Sequence, residues 1–516
     1  VFPGLINRLL PQWRREALRT TLWVVPAVMV AGAAAVFVVT DIVDHAAYRG
    51  AITLPGWVAR PSTDAARQLL GDIAAAVITV LGVVFSVTIV ALTLASQQFG
   101  PRMLRNFIRD LGTQVALGAF VSTFVYCVLA LGAITDGGRH GPFVPDLSVT
   151  VSLGLLLVVL VVLIYFIHHI ATTIQLPSVV AAISRDLART IDLQYPAKKV
   201  RMVPASGPSL DQVLRATETE GGLIAVRASG YLQFVRYDQL VSIAESTDSV
   251  IRLVHRPGHF ITAGLPLARV WPAAAAPAVE RALHRHHVPG ANRTLTQDPV
   301  FAIDQLVEIA IRALSPAVND TFTALTCIDW LADGLCRISA RQLPLGVHRD
   351  VHGGIRLIEP GPDYARIVNR ASDKIRQASR NMPAVAIRQI DGLTKVLAAT
   401  TSAAQRSVLA TQAVRILHGA EADIPDDDDR REVQRRYAVF VAERESMEGT
   451  AAMPPAAMPP GATPPGVAPS PGVAPVSAPD PSPAPAVAGV PVVAAVAAPG
   501  DAAGRASASP PTPTAG

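Results

Sequence analysis

The chain has 516 residues, 50% of them hydrophobic, with a mean hydropathy of +0.36, a net charge of +5 and a pI near 9.3. A soluble globule of this length buries a large core without so apolar an average, so a wholly soluble protein is excluded and the surplus belongs in lipid. The basic balance does not point to nucleic acid, because no basic stripe is interleaved with aromatics, and three cysteines cannot make a disulfide framework.

Four apolar runs open the chain, at 20–40, 73–95, 114–135 and 149–170. Each meets the ~20 residues that a helix needs to cross a hydrocarbon core. Arg8, Arg14, Arg15 and Arg19 precede the first run, Arg102, Arg105 and Arg109 join the second to the third, and Arg185, Arg189, Lys198 and Lys199 follow the fourth. The other two connections are nearly neutral, so the positive-inside pattern predicts both termini in the cytoplasm. The expected plan is an α-helical polytopic membrane domain of four transmembrane helices. An α+β cytoplasmic domain (a small β module plus a helical bundle) and a disordered Pro/Ala-rich tail follow. The boundaries read 1–19 N-terminus, 20–176 membrane domain, 177–220 linker helix, 221–275 β-rich module, 276–446 mostly helical domain and 447–516 tail.

The second run carries a small-and-polar stripe at helical spacing: Thr79, Gly82, Ser86, Thr93 and Gln97. Two readings fit it, a seam for close helix packing and a water-lined face. Arg102, Arg105 and Arg109 recur on one side of an amphipathic piece that suits the inner headgroup layer. No Asp, Glu, Lys or Arg stands in the centre of a run, which argues against a proton- or ion-coupled pump. His168 and His169 close the fourth run as an interfacial pair.

Beyond 177 the pattern becomes that of a soluble fold. Short period-two runs punctuated by Gly and Pro between 221 and 271 predict strands, with one helix at 237–244. Their glycine spacing is like that of lipoyl-carrier barrels, yet the segment has no lysine to accept the group, so no cofactor is expected. A helix is predicted at 299–314, with Asp304 and Glu308 one turn apart. Pro316 ends it, and Asn319, Asp320 or Thr321 caps the next. Asp298, Asp304, Glu308, Asn319 and Asp320 are therefore the candidate cytoplasmic ligand site, for a small ion or small molecule, beside the plainer readings of capping and a solvated face. His284, His286 and His287 read as a basic solvated turn, because their spacing matches no common metal motif. Further helices are expected near 363–380, 383–400 and 402–418, the last ended by Gly419. The acidic block 426–429 breaks the pattern before a final helix at 431–445.

Val84-Phe85-Ser86-Val87-Thr88 through Ser96-Gln97-Gln98-Phe99-Gly100-Pro101-Arg102, Ser229-Gly230-Tyr231-Leu232-Gln233, Arg256-Pro257-Gly258, Gln297-Asp298-Pro299 and Ala313-Leu314-Ser315-Pro316-Ala317-Val318-Asn319-Asp320 occur in this order. With them the chain resembles a family of bacterial predicted membrane proteins, domain of unknown function 2254, over roughly 10–420. Thr321 stands where that family often has proline. The resemblance implies a bacterial inner-membrane location and the four-span plan, and it carries no activity to transfer.

The expected function is a homo-oligomeric, channel-like pore with a cytoplasmic regulatory domain, since four spans per copy leave little interior for a path. A membrane-anchored sensor or scaffold is the other expectation. No phosphate-binding glycine loop, zinc-protease pair or nucleophile elbow is present, so no enzyme and no metal are expected.

Overall fold

The computed structural model describes residues 23–99, 110–138, 141–173, 175–196, 206–400 and 402–452. Arg102, Arg105, Arg109, the N-terminal arginines and the Pro/Ala-rich tail from residue 453 on lie outside the described residues, while residues 447–452, expected in the tail, are helical.

Four helices are long and apolar enough to cross a membrane: α1 (Val24–Tyr48), α2 (Thr63–Phe99), α3 (Leu111–Ala133) and α4 (Asp146–Thr173). The third is the hub, packing against each of the others. Its small residues explain this: Ala116, Gly118, Ala119, Ser122 and Ala130 are buried and let neighbouring backbones approach. A Cβ at Gly118 would meet the Met29 side chain and lie 3.2 Å from the Pro26 Cα of α1. The short hairpin β1 (Thr135–Gly138) and β2 (Gly141–Phe143) joins α3 to α4.

The first helix outruns its predicted end at residue 40 and carries Asp41 and Asp44 inside it. Asp44 is 2% exposed and binds the start of α4. Its carboxylate accepts from Leu147 N at 2.8 Å, Ser148 N at 3.0 Å and Ser148 Oγ at 2.8 Å. Ser148 Oγ also reaches Thr40 Oγ1 at 3.0 Å, which lies 3.0 Å from the Tyr126 hydroxyl of α3. A carboxylate from one helix thus caps another, where the macrodipole favours negative charge.

The extramembrane part begins with α5 (Leu176–Gln194). Expected as a linker, this helix instead belongs to the core of the bundle. Val180, Ile183, Leu187 and Ile191 are buried against α9 (Pro299–Ala313) and α10 (Thr321–Ser339). After α6 (Leu210–Thr219), which opens on a Ser209–Gln212 capping box, comes the β module. It comprises β3 (Gly222–Ala225), β4 (Gly230–Val235), α7 (Tyr237–Ser246), β5 (Val250–Leu253), β6 (Phe260–Ile261), β7 (Pro266–Trp271), α8 (Ala276–His286) and β8 (His287–Gly290).

The module is wider than 221–275. One sheet has the order β3-β7-β5-β10-β9 and takes β9 (Val347–Arg349) and β10 (Ile355–Ile358) from beyond α10, while the other has the order β6-β4-β8. The β5–β10 pair is parallel, so a long crossover must join its strands; α9 and α10 occupy that crossover and weld module to bundle.

The bundle closes with α11 (Tyr364–Ala378), α12 (Pro383–Ala398), α13 (Ala403–Asp423) and α14 (Asp427–Ala452). Two expectations are corrected here. Gly419 lies inside α13 and does not end it, since the turn around it packs on α11 with Ala420 buried. The acidic block starts α14 and does not precede it, because Asp427, Asp428 and Asp429 sit in the first turn, where the helix dipole favours them.

Candidate functional site

Helix α2 packs one apolar face inward and leaves Ile78, Phe85, Val87, Ile89 and Val90 exposed beside the polar stripe. Leu70, Ile73, Val77, Leu81 and Val84 are buried within the four-helix unit. Thr79, Gly82, Ser86 and Thr93 all face outward, and a Cβ at Gly82 would meet no heavy atom within 4 Å. Thr79 and Thr93 donate back to Ala75 O at 2.7 Å and Ile89 O at 2.9 Å, so their donors are satisfied inside the helix. The stripe is therefore no packing seam within one chain; that role belongs to α3. The side chain of Gln97, like the three arginines after it, lies outside the described set.

At the junction of module and bundle, two of the predicted ligand-site carboxylates are already engaged. Arg293 donates to Asp298 through Nε at 2.9 Å and Nη2 at 2.6 Å, and through Nη1 to Asp304. Arg370 of α11 grips Asp304 from the other side, with Nη2 at 2.8 Å from Oδ2 and Nε also bonded. The Arg293 guanidinium lies 5.0 Å from the Phe301 ring centre, a cation–π contact. Asp298 is 6% exposed. Burial pushes its carboxyl up and Arg293 pulls it back. Gly258, at φ +90°, lies against this carboxylate, and any Cβ there would collide with it.

The remaining members of the predicted set stand apart in role. Glu308 lies one turn beyond Asp304 on α9. Asn319 adopts φ +50°, and Asp320 caps α10 by accepting from Thr323 N at 3.0 Å. These two residues build the corner between α9 and α10, as capping predicts. Among the described residues, no group of three or more His, Cys, Asp or Glu is placed to hold a metal. The expectation of a solvated histidine turn is corrected at two of its three members: His287 is buried with Nδ1 donating to Leu283 O at 2.7 Å, and the His284 side chain is 8% exposed, while the His286 side chain lies outside the described residues. His284 lies on α8 and His287 opens β8, and α8 packs on β3, β7 and β8.

Next to Asp298 is a basic cluster of which the sequence marked only Arg256. Arg256 holds Gly361 O at 3.2 Å, and His259 follows it in the same loop, with the His255 ring 6.0 Å away. Burial, then the charges of Arg256, His255, Arg366 and Arg293, push the His259 imidazole down to about 4. The folded protein therefore keeps this ring neutral where the unfolded chain takes a proton near the ordinary value of 6.5. Stability contributed by this group is complete above about pH 6.5 and is lost as pH falls toward about 4. Burial shifts His255, His284 and His287 in the same direction. We expect the melting temperature to drop on acidification from about pH 7 to about pH 5, and His259→Gln to flatten that drop. An identical pH slope in the variant would show that His259 titrates normally.

Residues 19–395 match the model of a family described as a predicted membrane protein, domain of unknown function 2254. The chain belongs to this family. Among its relatives are uncharacterised proteins of Mycobacterium tuberculosis and Mycobacterium bovis, 33% identical over 402 residues, covering 76% of this chain and 74% of theirs. No solved structure matches significantly. In the fold, segments on which the resemblance was read are brought together. Gln297 bonds Val235 through both amide atoms, accepting from its N at 2.9 Å and donating to its O at 3.0 Å, which extends the edge beside β4. Gly258 packs on Asp298, and a Cβ at Gly230 would lie a tight 3.0 Å from Gly290 O. Arg293, Arg370 and His259 escaped sequence reasoning because no local motif marks a partner brought in by folding.

Proposed function

We propose that the protein acts in a bacterial inner membrane as a homo-oligomer whose α2 helices surround a polar path. The termini and the extramembrane part lie on the cytoplasmic side. The observation that supports this is the outward direction of Thr79, Gly82, Ser86 and Thr93 on the four-helix unit. Small residues such as Gly82, and hydroxyls such as those of Thr79, Ser86 and Thr93, suit a neighbouring helix or water. Copies arranged around these faces would enclose a path, with Arg102, Arg105 and Arg109 ringing one mouth and favouring anions. Purified protein in planar bilayers should conduct. Ser86→Leu should lower the conductance severalfold, and Arg102→Glu should move the reversal potential toward cations. No conductance, or a current indifferent to both changes, would overturn the reading.

A second reading, a membrane-anchored sensor, is favoured by the basic cluster. Among the described residues, the His259 ring and the Arg366 guanidinium make no hydrogen bond or ion pair. An anion would supply the missing acceptor. If bilayers stay silent while inorganic phosphate raises the melting temperature, and Arg366→Ala abolishes that rise, the sensor displaces the pore.

A further inference from the structure

The corner between α9 and α10 exposes apolar side chains at a place that should be polar in a soluble fold. Phe322 is 82% exposed and Val318 54%. Pro316 and Ala317 beside them are exposed as well. The tip is firmly built. Val318 N and Asn319 N both donate to Ser315 O, at 3.0 and 2.8 Å, and Asp320 N donates to Ala313 O at 2.8 Å.

Contacts along α5 locate this tip. Thr190 Oγ1, near the far end of α5, bonds Leu295 O just before α9 at 3.2 Å. Helix α9 therefore starts where α5 ends and returns toward the crossing helices, where it packs against α2. Helix α10 runs the other way, parallel to α5. A Cβ on its Gly334 would press on Leu187, and Arg341 beyond its end bonds Tyr195 O at 2.7 Å. Carrying the Gly334–Leu187 offset back to Phe322 sets it level with Gln175, immediately past the end of α4 at Thr173. The bare apolar tip thus stands beside the junction where the chain leaves the membrane.

We infer that the Pro316–Phe322 corner seats Val318 and Phe322 in the lipid headgroup layer, fastening the extramembrane part to the bilayer surface at a second point. The partner is lipid because the tip is continuous with the level of the crossing helices. An exposed aromatic there gains by entering the apolar boundary of the headgroups, while the polar backbone of the turn stays bonded within itself. The inference does not depend on whether the protein conducts.

Spin labels test it in the full chain, reconstituted in phosphatidylethanolamine/phosphatidylglycerol vesicles. Cys336→Ser removes the half-exposed thiol. Cys127 and Cys327 are buried, and burial pushes the Cys327 thiol up to about 12, so neither competes for label. Labels at Val318→Cys and Phe322→Cys should collide more with oxygen than with a water-soluble nickel chelate. A label at Leu345→Cys, 81% exposed beyond the other end of α10, should show the reverse. Both Val318 and Phe322 are surface positions, so the fold should tolerate the changes. Nickel accessibility above oxygen at 318 and 322 would put the tip in water and overturn the inference. Low accessibility to both reagents would mean that protein covers it, and would overturn it equally.

Discussion

Replacing Asp44 by alanine should lower the stability of the four-helix unit by about 2–4 kcal/mol. The buried carboxylate accepts three hydrogen bonds from the first turn of α4, two of them from backbone N–H groups. Alanine cannot accept, so Leu147 N and Ser148 N would be left unpaired where water has little access. Ser148 Oγ would keep only its bond to Thr40. Asp44→Asn retains one oxygen acceptor and should cost less than alanine. Denaturation in mixed micelles with increasing dodecyl sulfate, followed by loss of helical circular dichroism, measures both. The alanine midpoint should move furthest toward low dodecyl sulfate; coincident midpoints would show that α4 does not need the cap.

The second large effect is expected at Arg293. Its side chain is 14% exposed and holds two carboxylates that are themselves buried. Arg293→Met keeps much of the stem that packs over Phe301 but strands Asp298, and removing one partner of a buried ion pair costs about 3–5 kcal/mol. Asp304 keeps Arg370, so the damage should centre on Asp298. Without Arg293 the Asp298 carboxyl loses the charge that holds it down and rises further above its ordinary range. A carboxyl raised in the folded state contributes most when protonated, so the variant should be weakest near neutral pH and recover part of its deficit as pH falls. Adding Asp298→Asn to Arg293→Met should restore stability at neutral pH, because no buried charge then lacks a partner. Urea unfolding of the full chain in detergent reads all three. A double variant no more stable than the single one would mean that Arg293 acts through its packing and not through its charge.

Much of the plan was legible because lipid imposes a length rule. A crossing helix must be apolar for ~20 residues and must satisfy its own backbone, so the four runs announced themselves. Local capping chemistry was equally readable. Pro316 ends one helix and Asp320 starts the next, just as Asp363 starts α11 through a bond from Arg366 N at 3.2 Å. Chain ends of helices judged by single residues fared worse, because packing can override a local stop signal. Gly419 costs its helix some propensity, yet the turn around it packs on α11 and the helix continues.

The ligand-site residues divide in the same way. Their clustering at 298–320 came from sequence, but Arg370 meets Asp304 from 66 positions away, and Gly258 closes on Asp298 from another loop. Such partners leave no periodic trace.

Four membrane helices continuing into a mixed helical and β part could be read from the residues alone, because hydrophobic run length and strand or helix periodicity are local properties of the chain. Which face of α2 looks outward, which helix is the hub and which strands complete the sheet emerged from the folded arrangement. Each of those depends on contacts between segments far apart along the chain, where the energy lies in the pair and not in either segment alone.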